Sequence, residues 1–170
     1  MRKELEQKFV ERWPTWFKIG DDHRHTLMPY GFEFGDGWFD IVWRLCEGLE
    51  PLVAEDELNT GEPFKVFQVK EKFGGLTFYT NKYSFDKSSD AILQLIAAAE
   101  QQSLVTCDVC GQPGTTQGKG WIRTRCEEHP NVRATMQKMI EEMELLDSIA
   151  NTDETHDDAS FGLKKHNLQG

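Results

Sequence analysis

The sequence contains no run of about 18 consecutive apolar residues, so none of its helices is expected to cross a lipid bilayer. Its first six residues lack the continuous apolar stretch of a secretory signal peptide. Basic residues are also scarce, because 19 lysines and arginines stand against 29 acids and give a net charge of −10. Such a chain is a poor general binder of phosphate backbones. These features predict an acidic cytoplasmic protein and disfavour membranes and nucleic acid as partners.

The common catalytic signatures are missing as well. No phosphate-binding loop, Gly-x-Gly-x-x-Gly turn or Ser-His-Asp arrangement is readable in the chain. The segment Asp21-Asp22-His23-Arg24-His25 could take part in acid–base or metal chemistry, because alternate residues share a face in an extended segment. Such clusters are more often solvated loops. We therefore expect a non-enzymatic protein and keep an enzyme that uses the His23/His25 loop as an alternative.

The acidic charge is concentrated near the end of the chain. Between Lys138 and Lys164 there is no basic residue, and residues 139–170 hold eight acids against two bases. Apolar residues become sparse after Asn151, and a segment of this composition cannot bury a core of its own. The sequence thus predicts one α+β domain over residues 1–150 and an acidic disordered tail over residues 151–170.

Hydrophobic periodicity predicts helices that pack on a small antiparallel sheet. Apolar residues recur at helical spacing in three segments before the cysteine-rich region, and two β-rich runs lie between the second and third of them. The predicted helices span residues 3–13, 38–49 and 89–102, and the predicted strands span residues 64–70 and 76–80.

The helix predicted at residues 38–49 carries a candidate contact residue. Asp36 is a candidate N-cap, and Gly48 and Pro51 are expected to end the helix. Trp43 falls outside the apolar face of this helix, among charged neighbours. We therefore predict that its ring is at least partly exposed and binds a partner, unless the turn-rich loop of residues 18–37 or the N-terminal helix covers it.

Residues 72–75 connect the two predicted strands. They end in Gly74 and Gly75, and paired glycines between β-rich runs are typical of a hairpin turn. Glycine adopts positive φ without steric cost. We expect at least one of the two glycines to hold a positive φ.

Four residues at knuckle spacing form the strongest chemical signal in the chain. Cys107-x2-Cys110 is followed, after fifteen residues, by Cys126-x2-His129. A gap of two residues lets both members of each pair point at one ion, and the intervening length allows the second knuckle to fold back on the first. The pattern predicts one Zn²⁺ held by four protein ligands, which is a closed structural site.

The surroundings of this motif leave two other interpretations open. A redox Cys-x-x-Cys would need a βαβ setting, which the predicted elements do not provide. Direct nucleic-acid binding by the knuckles is opposed by acidic neighbours, although Lys119, Arg123 and Arg125 lie close by and could also offset the charge of a Cys₃His site. Cys46 lacks a readable base partner and is predicted to be a core residue.

A last amphipathic helix is predicted over residues 130–150. Its apolar residues recur at a spacing of four and three, which is typical of a coiled-coil stripe. The stripe either packs on the core of this domain or contacts a partner, and methionine suits adaptable binding surfaces. It consists of Val132, Met136, Met139, Met143, Leu146 and Ala150.

Several motifs together resemble those of a family of small proteins found in bacteriophages, prophages and bacterial genomes. The matching runs are Gly35-Asp36-Gly37-Trp38, Lys70-Glu71-Lys72-Phe73-Gly74-Gly75-Leu76-Thr77-Phe78-Tyr79, Cys107-x2-Cys110-Gly111-x-Pro113-Gly114 and Gly120-Trp121-x2-Thr124-x-Cys126-x2-His129. The resemblance covers roughly residues 30–130 and implies a context but no particular activity. It implies a phage or prophage accessory factor that acts in the host cytoplasm on a host protein, such as a defence or regulatory component.

Overall fold

The computed structural model describes residues 1–18, 23–82 and 90–153. The first two strands form one two-stranded antiparallel sheet, and the last two strands form a second. Together with the helices, these sheets confirm the predicted α+β class. In chain order the elements are helix α1 (Lys3–Arg12), helix α2 (Phe39–Thr60), strands β1 (Val66–Lys72) and β2 (Gly75–Thr80), helix α3 (Ala91–Ser103), strands β3 (Thr115–Gln117) and β4 (Arg123–Arg125), and helix α4 (Val132–Asp153).

The chain divides into two compact units, Met1–Ala134 and Thr135–Gly170. None of the helices in the described part of the chain is both long and apolar enough to cross a membrane. The acidic tail predicted over residues 151–170 lies, from residue 154 onward, outside the described residues.

The core of the first unit is rich in aromatic side chains and is organised around Phe9 of α1. Phe9 is fully buried, as the apolar periodicity of α1 predicts. Aromatic pairs at ring-centroid distances of 4.5–7 Å add to the stability gained by burial alone. Five rings lie between 4.8 and 5.9 Å from the Phe9 ring, namely those of Trp13, Phe17, Phe32, Phe39 and Trp43.

Trp43 is therefore half-buried, because α1 lies over one side of its ring. The ring stacks on Phe39 and meets Trp13 edge-on at a centroid distance of 4.8 Å. Its Nε1 donates a hydrogen bond of 2.9 Å to Glu47 on the same helix. The ring is partly exposed, as predicted, and the N-terminal helix covers it in part.

Helix α2 extends well beyond the predicted end at Pro51. It continues to Thr60 and stops at Gly61, whose φ is +72° and whose N–H donates to the Glu57 carbonyl. Proline removes a single backbone hydrogen bond from the helix. Leu49 and Val53 are buried on either side of Pro51, and their packing holds the helix together across that gap.

Asp36 does not cap α2, because its carboxylate is engaged elsewhere. It accepts hydrogen bonds from the backbone N–H and the guanidinium of Arg2, the former at 2.8 Å. Asp36 itself lies in a single 3₁₀ turn, Asp36–Trp38, that leads into α2.

The hairpin turn is tighter than predicted. Lys72 pairs with Gly75, so the turn consists of Phe73 and Gly74 alone. Their φ angles are +53° and +84°, and positive φ at both central residues is the signature of a type I′ turn. The expectation for Gly74 is confirmed, whereas Gly75 is the first residue of β2 and lacks a positive φ.

Candidate metal centre

The first knuckle is a tight loop closed by backbone hydrogen bonds. Thr106 and Pro113 form an isolated antiparallel bridge at its base, and the Cys107 N–H donates to the Gln112 carbonyl at 2.8 Å. The Gly111 N–H donates to the Cys107 carbonyl at 2.9 Å, and the φ of Gly111 is +76°. A residue with a Cβ rarely adopts this conformation, which explains a glycine directly after the second cysteine.

The small β3–β4 sheet brings the second knuckle back to the first. Thr115 pairs with Arg125, so the chain reverses between the two halves of the motif and reaches Cys126 directly after β4. The His129 N–H then donates to the Cys126 carbonyl at 3.2 Å, which turns the imidazole toward the same point. The fifteen residues between Cys110 and Cys126 thus contain one short hairpin, which brings the two pairs of ligands together.

The four predicted ligand atoms converge in space. All of them lie within 4.8 Å of one another, with Cys110 Sγ 3.6 Å from Cys126 Sγ and Cys126 Sγ 3.2 Å from His129 Nδ1. With Zn–S bonds of about 2.3 Å and a Zn–N bond of about 2.0 Å, tetrahedral geometry predicts S···S and S···N separations of about 3.8 and 3.5 Å. The cysteines are free thiols, so the cluster can hold a metal ion.

Backbone hydrogen bonds favour the thiolate form of Cys107. Burial raises the pKa of its thiol, but hydrogen bonds from the backbone N–H groups of Cys110, Val109 and Cys126 lower it, and the net pKa is lowered. Metal ions bind thiolates and not thiols. The fold of the knuckle therefore prepares this sulfur for metal binding.

Two glycines allow the first knuckle to approach the core at backbone contact. The Gly37 N–H donates to the Asp108 carbonyl at 2.9 Å. A Cβ built on Gly37 would lie 2.3 Å from the Cys107 carbonyl oxygen, and one on Gly35 would lie 2.0 Å from the Asp108 carbonyl oxygen. Distances below 3.0 Å to backbone atoms cannot be accommodated without displacing the chain. Glycine at both positions is a requirement of this contact.

Further contacts join the knuckles to the core and to the first hairpin. The Nε1 of buried Trp38 donates to the Thr106 carbonyl at 2.7 Å, at the base of the first knuckle. The buried hydroxyl of Thr124, in β4, donates to the Gly74 carbonyl at 2.6 Å. The four runs that carry the family resemblance thus meet at one junction.

Charged side chains beside this junction pair with one another. Arg125 Nε lies 2.8 Å from Asp108 Oδ1, and Arg123 Nη1 lies 2.8 Å from Glu71 Oε2 and 3.6 Å from Asp108 Oδ2. Asp108 is only 2% exposed. Burial raises the pKa of its carboxyl, and the two arginine charges offset that rise only in part. Both arginines are engaged by carboxylates, which modifies the prediction that they offset the charge of a bound metal ion.

The histidine loop does not form a comparable cluster. His23 and His25 are exposed, and the His23 ring lies 5.4 Å from the Tyr30 ring, measured between centroids. Among the described residues, the only group of three or more potential ligands is the Cys₃His cluster. Asp21 and Asp22 lie outside the described residues. Cys46 is fully buried. Burial raises the pKa of its thiol, and the negative charges of Glu50 and Glu47 raise it further.

Sequence reasoning missed the role of Gly35 and Gly37. The sequence did contain a signal for this contact, because two glycines separated by a single residue, just before a tryptophan, suggest that another segment of backbone approaches closely. It could not identify the approaching backbone, since the knuckle is about 70 residues further along the chain.

Comparisons of the chain with protein-family models, with curated proteins and with solved structures found no match.

Proposed function

We propose that this chain is a non-enzymatic protein-binding factor, with one structural Zn²⁺ in the Cys₃His cluster and a partner-binding face on α4. The observation that carries the proposal is the exposure of the apolar residues of α4. Eight large apolar side chains of this helix are between 49% and 65% exposed, namely Val132, Met136, Met139, Ile140, Met143, Leu145, Leu146 and Ile149.

The zinc assignment rests on the donor set and its geometry. Three sulfurs and one imidazole nitrogen that converge within 4.8 Å of one another are a donor set typical of zinc, and they would fill all four positions of a tetrahedral ion. Such a site leaves no position for a water nucleophile. The ion would therefore stabilise the junction of knuckles, core and hairpin and take no part in catalysis.

The apolar face of α4 is large for a surface of a free protein. Exposed apolar residues normally occur singly, and contiguous apolar patches mark sites of protein interaction. The spacing places Met136 and Met143 at one heptad position and Met139 and Leu146 at the other. This arrangement fits a partner helix that lies along α4.

The charges that flank this face favour a basic partner over a second copy of α4. Between residues 135 and 149 the helix has four acids and one base, Lys138, whose Nζ lies 3.7 Å from Glu142. In a parallel pair of identical helices, Glu142 of one copy would face Asp147 of the other. Like charges at these positions destabilise the pair. The best-fitting partner is an amphipathic helix flanked by lysine and arginine.

The proposal is tested by affinity capture from bacterial lysate with the parent protein and two variants. The double variant Met139→Gln, Met143→Gln makes the stripe polar and should lose the partner. Leu58→Gln is a matched control, because Leu58 is 88% exposed on the other long helix, α2. Cross-linking of the captured protein should map a basic amphipathic helix onto α4.

Two outcomes would contradict this function. A parent protein that forms a stable dimer in solution, lost in the double methionine variant, would make a second copy the occupant. Capture of the same partners by parent and double variant would remove α4 from the binding surface and leave Trp43 as the remaining candidate.

The resemblance to phage and prophage proteins supports a host protein as the partner. This part of the proposal rests on the sequence motifs alone. Expression of the protein in a bacterial host, with and without a phage challenge, tests it through the identity of the captured partner.

Nucleic-acid binding by the knuckles is the second candidate. Trp121 is 56% exposed, and the Arg133 guanidinium lies 4.7 Å from the centroid of its ring. Exposed aromatic rings and arginines are the groups on which nucleobases stack in single-strand-binding proteins. Arg123 and Arg125, however, are engaged by carboxylates. A mobility-shift assay at two salt concentrations separates this candidate from the first, and Trp121→Ala should abolish any shift.

A further inference from the structure

A second candidate binding site lies in the first unit, beside the edge of β1. Two cavities of about 480 and 540 Å³ adjoin there and share Arg24, His25, Thr26 and Phe67 in their walls. These volumes are in the range of small-molecule sites. Together the cavities form a groove, named here the β1 groove, between β1 and the segments around residues 15–18 and 23–27.

The β1 groove is basic in a chain that is acidic overall. Six basic side chains line it, and no carboxylate does so among its described lining residues. Among the described residues, Glu33 Oε2 accepts a 2.6 Å hydrogen bond from Gln68 Nε2 of the lining. The basic residues are Lys18, His23, Arg24, His25, Lys65 and Lys70.

The three lysines of this set differ from six other bases of the first unit. Arg2, Lys3, Arg12, Lys82, Arg123 and Arg125 all form ion pairs with carboxylates. Within the part of the chain that the structure describes, no ion pair involves Lys18, Lys65 or Lys70. The convergence of three such lysines on one groove, more than the absence of ion pairs itself, favours an anionic ligand.

The groove also offers aromatic surface. Tyr79 is 39% exposed on its wall, and Lys70 Nζ lies 5.6 Å from the centroid of the Tyr79 ring. The pairing of β1 with β2 shifts register between Val66 and Gln68, so Phe67 is the extra residue of a bulge. Bulges re-aim side chains at the edges of sheets and next to binding sites, and Phe67 lines both cavities.

Lysines beside an exposed aromatic ring are suited to a ligand that carries both a phosphate group and a nucleobase. We propose that the β1 groove binds a nucleoside phosphate, with Lys18 and Lys65 on the phosphate oxygens and the base against Tyr79. The ligand is either a free nucleotide or a nucleotide within a single strand, because both present the same groups. This site is independent of α4 and of the metal cluster.

The experiment titrates the full-length zinc-loaded protein with two probes, ATP and a fluorescent oligothymidylate, in low salt. At least one probe should bind with a Kd of about 1 mM or tighter. The double variant Lys18→Ala, Lys65→Ala should weaken that binding at least about tenfold, which corresponds to about 1.4 kcal/mol. Both lysines are exposed, so the variant should keep the melting temperature of the parent.

A double control variant, Lys8→Ala with Lys138→Ala, removes the same net charge away from the groove. It should bind both probes like the parent. Tyr79→Leu should also weaken binding, since it removes the stacking surface and keeps the apolar volume. If the oligonucleotide is the ligand, removal of two phosphate contacts should make the slope of log K against log salt shallower by about 1.4.

The two probes identify the source of the ligand. Binding of ATP alone assigns a free nucleotide, and tighter binding of the oligonucleotide assigns a single strand. Absence of binding by both probes overturns the proposal. Equal loss of affinity in the groove variant and the control variant also overturns it, because binding would then follow net charge and not the groove.

Discussion

The sequence marks both the junction of knuckles, core and hairpin and helix α4, the first by its cysteines and glycines and the second by its apolar stripe, yet the two regions pack in opposite ways. At the junction, backbone meets backbone so closely that Gly35 and Gly37 have no space for a Cβ. Along α4, side chains as large as methionine and leucine are half-exposed or more. The junction has no space for a larger residue at its two glycines, whereas α4 exposes apolar side chains to water.

This difference separates residues that hold the fold from residues that are available for binding. A substitution at the junction displaces backbone, so its effect on the free energy of unfolding should be large. A substitution on the α4 stripe changes side chains that are more than half exposed, so its main effect should fall on partner binding. Stability and binding measurements on the same variants therefore test the comparison directly.

The largest effect is expected from loss of a metal ligand. Cys126→Ser leaves three ligands and should reduce zinc from one equivalent per chain to a small fraction. Loss of a structural metal is among the few changes that cost more than about 4 kcal/mol, and for a chain of this length it should lower Tm by roughly 8–20 °C. Elemental analysis and thermal unfolding measure the two results.

Val109→Ala is the control for this variant, because Val109 lies inside the first knuckle but supplies no ligand atom. It should retain a full equivalent of zinc. A Cys126→Ser protein that melts like the parent would show that the cluster does not stabilise the junction.

The next effect concerns the contact between the knuckle and the core. Gly37→Ala would place a Cβ 2.3 to 2.7 Å from three backbone atoms of residues 107, 110 and 111. Relief requires displacement of the knuckle, so the variant should lose about 3 kcal/mol or more of unfolding free energy. It should also release zinc to a chelator faster than the parent.

Gly120→Ala is the matched control, since a Cβ there has no heavy atom within 4 Å. The two variants make the same chemical change in the same unit of the chain. Equal stability of the two would mean that the knuckle does not dock against Gly37.

The junction also marks the limit of what the sequence could predict. The knuckle spacing predicted the ligand set because metal geometry constrains residues that are close along the chain. Helix α2 was predicted too short, because Pro51 is a local stop signal and the packing of Leu49 and Val53 that overrides it is tertiary. The docking of Gly37 on Asp108 joins residues 71 positions apart, and no local pattern encodes such a pairing.

The sequence predicted which residues form the stripe on α4, but it did not predict what packs against that stripe. Helical spacing identifies which residues share a face, but periodicity is the same for a helix that packs on its own core and for one that binds another protein. The exposed fraction of each side chain is a property of the folded chain and is not encoded in the periodicity. Trp43 illustrates the same point, because its ring packs under α1, which its position on α2 alone does not reveal.

A smaller effect, of opposite sign, is expected at the hairpin turn. Phe73 is the one residue other than glycine with positive φ in the part of the chain that the structure describes. Asparagine is preferred at this position of a type I′ turn. Phe73→Asn should therefore raise the unfolding free energy by about 0.5–1 kcal/mol. Gly74→Ala should lower it by about 1–2 kcal/mol, because Gly74 holds the other positive φ.

Chemical denaturation of both hairpin variants measures these changes. A destabilised Phe73→Asn protein would show that the exposed phenylalanine ring makes contacts that outweigh the strain of its backbone. The Phe73 side chain would then stabilise the hairpin tip, as the Gly74 carbonyl does through Thr124.

The smallest effect on stability is expected from the α4 stripe. Met139→Gln with Met143→Gln replaces two side chains that are 57% and 65% exposed by residues of similar length and helix propensity. Exposed substitutions of this kind change the unfolding free energy by no more than about 0.5 kcal/mol. If the partner of α4 is a different protein and not a second copy, Tm of the purified protein should also stay the same over a tenfold range of protein concentration, since no self-association then contributes to stability. A loss of 2 kcal/mol or more, measured by denaturation, would mean that these methionines are buried in the free protein in solution. The stripe would then belong to a core like that around Phe9, and the contrast between the two regions would disappear.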